Sequence, residues 1–337
     1  MTTSPQSTDF PTTLISAQAL MALIAGGLRP VIIDCSFDLT DGAAGARSFA
    51  EAHLPGAHYA HLERDLSGPK SPRGAIEGGR HPLPSPAAFA ATLGAWGVAP
   101  TTPVVVYDRQ GATFAARAWW MLRWLGHGAV AVLDGGLQAW QAAGGALAHG
   151  ADAAEPAGQA SATADGPASA ALAGPASAAA AAAGPYPLPA GLGIAIGAGD
   201  TGVASPAVSG LAMPTIDAAT LLGRPGRMTV IDARAGERFR GESEPLDARA
   251  GHIPGARNRF FKDNLGADGR FKPAAALRAA FEAFGSPPAS VVHQCGSGVT
   301  ACHNLLAMEH AGLTGSVLYP GSWSEWSADP ARPVAVG

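Results

Sequence analysis

Short runs of β-branched and aliphatic residues recur along the chain, each closed by a polar or acidic residue. They are Val31-Ile32-Ile33-Asp34, Val104-Val105-Val106-Tyr107-Asp108, Thr229-Val230-Ile231-Asp232 and Val291-Val292-His293-Gln294-Cys295. Segments with helical character alternate with them. Ser85-Pro86 supplies an N-cap and first-turn proline for a helix running through Trp96. Phe114 to Leu125, with Trp119, Trp120 and Trp124, fits a second helix packed on a sheet, and Pro273–Phe284 and Ala301–Ala311 repeat the pair. Strands that alternate with helices predict an α/β fold around parallel sheets, with most tryptophans in the cores.

The two halves carry the same signposts. Val31 to Asp34, His53-Leu54-Pro55-Gly56-Ala57, Val104 to Asp108, and Leu133-Asp134-Gly135-Gly136 ending at Trp140 match four counterparts. These are Thr229 to Asp232, His252-Ile253-Pro254-Gly255-Ala256, Val291 to Cys295, and Tyr319-Pro320-Gly321-Ser322 ending at Trp326. The offsets between matched positions are 198, 199, 187 and 186, so one loop-sized difference accounts for the mismatch. The chain reads as two copies of one domain, residues 11–149 and 213–335.

Composition sharpens this division. The chain has 337 residues and a formal charge of −4. The stretch from Gly150 to Met213 has no Lys, Arg or His, and its charges are Asp152, Glu155, Asp165 and Asp200, so the whole net charge sits there. Rich in Ala, Gly, Pro and Ser, residues 150–212 lack the apolar side chains that offset ordering entropy, and a flexible linker is expected. Three cysteines cannot frame a disulfide fold and point to a reducing compartment. No apolar run reaches a membrane span, and the N-terminus lacks the features of a secretory signal or transit peptide. The expectation is a cytoplasmic protein with neither membrane nor nucleic acid as partner, since no basic block occurs.

The chemistry concentrates at Cys295-Gly296-Ser297-Gly298-Val299-Thr300-Ala301, which follows a strand and opens a helix. Such a loop turns backbone N–H groups inward and adds the helix dipole, forming a cup for an anion and favouring the nucleophilic thiolate. Together with His252-Ile253-Pro254-Gly255-Ala256, this run resembles the tandem rhodanese-domain sulfurtransferases. Its neutral loop is similar to that of the 3-mercaptopyruvate sulfurtransferases, whereas thiosulfate-preferring members usually carry basic side chains after the cysteine. The resemblance implies two rhodanese-like domains, and transfer of a sulfane sulfur through a persulfide on Cys295 to a thiol or cyanide acceptor, thioredoxin being one candidate. A small anionic sulfur donor is implied, and no cofactor or metal. Gly296, Gly298, Val299 and Thr300 would hold the anion.

Asp108 stands where Cys295 stands in the other copy, and a carboxylate cannot carry sulfane sulfur, so the first domain is expected to be inactive. Cys35 reads as a small core residue and Cys302 as a buried helix position. The group His293, Cys295, Cys302 and His303 does not reproduce a zinc spacing. By resemblance, Arg238 matches a substrate-binding arginine. Where the family has its second arginine, this chain has Leu246-Asp247-Ala248, leaving Arg249 as the nearest candidate. Also by resemblance, Ser297, His81 and Glu63 form a proton-transfer set, with Glu63 in place of an aspartate. A related cysteine phosphatase would need Arg at position 301, which is Ala. A thiosulfate-preferring rhodanese and a non-enzymatic persulfide carrier are the other readings.

Overall fold

The computed structural model describes residues 10–150, 186–188, 213–223 and 226–337. The first half builds β1 (Leu14–Ile15), α1 (Ala17–Ala25), β2 (Val31–Asp34), α2 (Ala44–Glu51) and β3 (His58–Tyr59). It continues with α3 (Pro86–Ala95), β4 (Val104–Tyr107), α4 (Ala115–Trp124), β5 (Val130–Leu133) and α5 (Gly136–Ala142). All strand pairs are parallel, in the order β1-β5-β4-β2-β3. The second half repeats the plan with α6 (Ala218–Leu222), β6 (Thr229–Asp232), α7 (Gly236–Phe239), β7 (Arg257–Asn258) and α8 (Ala274–Glu282). It ends with β8 (Val291–Gln294), α9 (Ala301–His310), β9 (Val317–Leu318) and α10 (Ser322–Ala328). Its parallel order is β7-β6-β8-β9, and a bridge from Thr215 to Leu318 occupies the edge that β1 takes in the first sheet.

Local signals explain the element starts. Ser85 Oγ accepts the N–H of Ala88, and Pro86 occupies the first turn of α3, as the Ser-Pro pair predicts. The central strands β4 and β8 are buried throughout, because helices cover both faces of each sheet. All seven tryptophans are buried. One apolar core runs from the first domain into the second, carried by α4 and α9, which pack against each other. That contact brings the loops preceding the two helices face to face.

Most of the stretch expected to be a linker, residues 150–212, lies outside the described residues. Tyr186 is an exception and a correction. It is buried, its N–H bonds to the Ala90 carbonyl, and its hydroxyl lies 3.2 Å from His127 Nδ1, so this residue is docked on the first domain. Among the described residues no helix is long and apolar enough to cross a membrane.

Candidate active site

The β8 strand delivers Cys295 to the domain interface, where it lines a cavity of about 240 Å³ with Gly296, Ser297, Val299 and Thr300. The loop is fixed from behind. Ser322 Oγ accepts the Cys295 N–H at 3.1 Å, and the Cys295 and Gly296 carbonyls accept from Trp323 and Ser324. Gly298 has φ +75°, and any Cβ there would collide with the Pro320 carbonyl, so the turn requires glycine.

The twin loop of the first domain shows what such a cup holds. Asp108 is 1% exposed, and its carboxylate accepts four backbone N–H groups, from Gln110 (2.9 Å), Ala112 (2.8 Å), Phe114 (2.8 Å) and Ala115 (2.9 Å). Burial still raises its pKa, with those four N–H groups acting against the rise. Shifted by the 187-residue offset, the first three donors become Ser297, Val299 and Ala301. Their N–H groups make no hydrogen bond among the described residues. The second cup therefore holds three N–H donors around Cys295 that have no partner among the described residues.

The first domain supplies the other side of the site. His81 Nδ1 lies 2.7 Å from Ser297 Oγ, a bond made across the interface. Burial, then Arg117, Arg80 and Lys70, pushes the His81 pKa down to about 3, so the ring that shares this hydrogen bond with the serine hydroxyl is neutral. Glu63 comes within 3.9 Å of His81 Nε2, beyond hydrogen-bond reach; it is half exposed and 3.7 Å from Lys70. The serine and histidine are brought together, and the carboxylate is only nearby.

Arg238 reaches the cavity and flanks Gly296, where a built Cβ would lie 3.4 Å from its Nη1. Its Nη2 bonds Glu244 at 2.5 Å and Asp247 at 3.1 Å, and its buried Nε has no hydrogen-bond partner among the described residues. Arg249 does not reach the site. Its guanidinium bonds the carbonyls of Trp326, Ser327, Asp329 and Arg332 at the end of α10, because a helix C-terminus leaves acceptors that a fork of N–H donors can satisfy. A second arginine does line the cavity, Arg80, missed from sequence although it precedes His81. Its Nη2 would lie 3.3 Å from a Cβ on Gly296.

Arg117 was also missed, hidden among the tryptophans of α4. It is fully buried, with no carboxylate partner among the described residues, and donates to the carbonyls of Leu66, His81 and, at 3.0 Å, Gly298. It thereby ties the histidine loop to the cysteine loop. The matching clasp is His303, whose Nε2 lies 3.0 Å from the Gly111 carbonyl, the twin of Gly298.

The remaining thiols fit core positions. Cys35 is fully buried, and burial raises its pKa well above the usual thiol value. Burial pushes Cys302 up to about 12, and its Sγ donates to the Gly298 carbonyl. His293 contacts Met308 Sδ instead, and among the described residues no cluster suits a metal ion.

Comparison with known proteins agrees with this architecture. The chain is 45% identical to a probable 3-mercaptopyruvate sulfurtransferase of Pseudomonas aeruginosa, over 96% of this chain and 98% of that one. It is 36% identical to a putative thiosulfate sulfurtransferase of Mycobacterium tuberculosis, over 96% and 97%. A 3-mercaptopyruvate sulfurtransferase from Leishmania major superposes with a TM-score of 0.70 at 27% identity, covering 96% of this chain and 76% of that one. The model of the rhodanese-like domain matches residues 16–143 and again 217–329, and the chain belongs to that family.

Proposed function

We propose that this sulfurtransferase takes sulfur from 3-mercaptopyruvate as a persulfide on Cys295 and passes it to a thiol or cyanide acceptor. The Cys295 thiolate attacks the donor sulfur, an S–S bond forms and the C–S bond breaks. The electron pair leaves on the methylene carbon as the enolate of pyruvate. The donor's thiol proton passes to that carbon through Ser297 and neutral His81, giving pyruvate and an anionic persulfide. The free N–H groups of Ser297, Val299 and Ala301 receive the terminal sulfur as their twins receive the Asp108 carboxylate. An acceptor thiolate or cyanide then bonds the terminal sulfur and releases Cys295. The first domain, with Asp108 in its cup, supplies His81, Arg80 and Arg117 but carries no sulfur.

One observation carries the choice of donor, the 2.7 Å contact between Ser297 and His81 beside Cys295. Thiosulfate releases sulfite, a stable anion that needs no proton on carbon, whereas mercaptopyruvate releases an enolate that does. Steady-state rates of Ser297→Ala with both donors and cyanide as acceptor test the reading. The expected result is a fall of about a hundredfold in kcat for mercaptopyruvate and a much smaller change for thiosulfate. Equal losses with both donors, or a wild type that prefers thiosulfate, would overturn it.

A further inference from the structure

The cavity at Cys295 shares Arg80 and Leu246 with a second cavity of about 220 Å³, also lined by Asp247, Lys70 and Ala75. Asp247 stands between the two. Its side chain is 2% exposed, with Oδ1 2.5 Å from Arg80 Nη1 and Oδ2 3.1 Å from Arg238 Nη2. One carboxylate thus bridges the two guanidiniums, one from each domain, that flank Gly296. These are the groups that would anchor the carboxylate of an α-keto acid. Arg238 keeps its bond to Glu244 if Asp247 lets go, so the clamp would not collapse.

We propose that Asp247 is a specificity-determining residue, an internal carboxylate that holds the donor's anchoring arginines in the empty enzyme and withdraws toward the second cavity when the donor binds. The proposal rests on reading the Cys295 cavity as the donor site. A donor carboxylate must displace the two charged bonds that Asp247 already makes to these arginines, so an anion gains affinity chiefly through what else it offers. A keto acid with sulfur at the loop N–H groups does so, and a plain carboxylate does not. An arginine at this place would add to the clamp; an aspartate makes it selective at the expense of tightness.

Pyruvate, which has the carboxylate and lacks the sulfur, is the probe. Its affinity is measured by calorimetry, and by protection of Cys295 from alkylation, for wild type, Asp247→Asn and Asp247→Glu, with melting curves for each. The expected result is about tenfold tighter pyruvate binding in Asp247→Asn, the lower end for a charged hydrogen bond at a partly open site, with Asp247→Glu close to wild type. KM for mercaptopyruvate should fall in parallel, and kcat less than KM, because the competition is for ground-state binding. Unchanged or weaker pyruvate binding in a folded Asp247→Asn would overturn the proposal. If that variant does not fold, a crystal structure of wild type with pyruvate decides. Asp247 parted from both arginines supports the proposal, and Asp247 still bridging them overturns it. A wild type inactive on mercaptopyruvate would instead sink the donor assignment, with the pyruvate comparison still deciding the role of Asp247.

Discussion

Replacing Asp108 by Asn probes the cup in the first domain. The side chain keeps its shape, but one carboxylate oxygen becomes an NH2 group. The four N–H donors at 2.8 to 2.9 Å then face one oxygen and one nitrogen, and two of them lose their acceptor. The site is 1% exposed, so water cannot readily replace it. A buried unsatisfied donor costs about 1–3 kcal/mol, which gives about 2–6 kcal/mol for the pair. Removing a buried charge returns part of this, since burial already opposes the ionised form of Asp108. The expected loss is about 3 kcal/mol, a large share of the 5–15 kcal/mol typical of a domain. Urea unfolding followed by tryptophan fluorescence, with calorimetry to separate the two domains, measures it. Stability within about 0.5 kcal/mol of wild type would show that the amides do not hold the carboxylate. The parallel with a persulfide on Cys295 would then lose its basis.

His81, pushed down to about 3, should show no ring titration by NMR between pH 5 and 8, and a midpoint near the ordinary 6.5 would contradict its burial as a neutral ring. Its folded value lies below the unfolded one, so the stability it contributes is complete above about pH 6.5 and is lost as pH falls toward about 3. His293 (about 3) and His303 (about 4) share this sign, and urea midpoints of a His303→Gln variant should therefore fall less than wild type between pH 7 and 5. Arg117→Met cuts the tie between the His81 and Gly298 carbonyls and should lower kcat by about a hundredfold through misplacement of Ser297 against His81, with an unchanged kcat refuting that role.

What the sequence made legible was whatever it encodes locally. The Ser85-Pro86 cap, the β-branched runs and the repeated His-Leu/Ile-Pro-Gly-Ala turn each specify an element within a few residues, and all stand where expected. The strand–loop–helix at Cys295 was readable for the same reason. Long side chains were read less well, although Arg238 does reach the cavity. Arg249 is closer in sequence to the expected position than any other arginine, yet it turns to the carbonyls at the end of α10. Arg80 comes from the other domain to stand beside Gly296. Asp247 reads as a missing arginine until its bridge between Arg80 and Arg238 is visible. Arg117 carries no local sign that its guanidinium crosses the interface. Tyr186 sits in a stretch whose composition argues against packing, yet its own ring is buried edge-on against His127.

The whole proposed reaction depends on Cys295 carrying the transferred sulfur. Peptide mass spectrometry after brief treatment with 3-mercaptopyruvate, without acceptor, tests it most directly on wild type and Cys295→Ser. The expected result is a gain of about 32 Da, one sulfur atom, on the peptide containing Cys295, removed by cyanide and absent from the variant. The same gain on Cys35 or Cys302, or sulfur transfer that survives in Cys295→Ser, would contradict it.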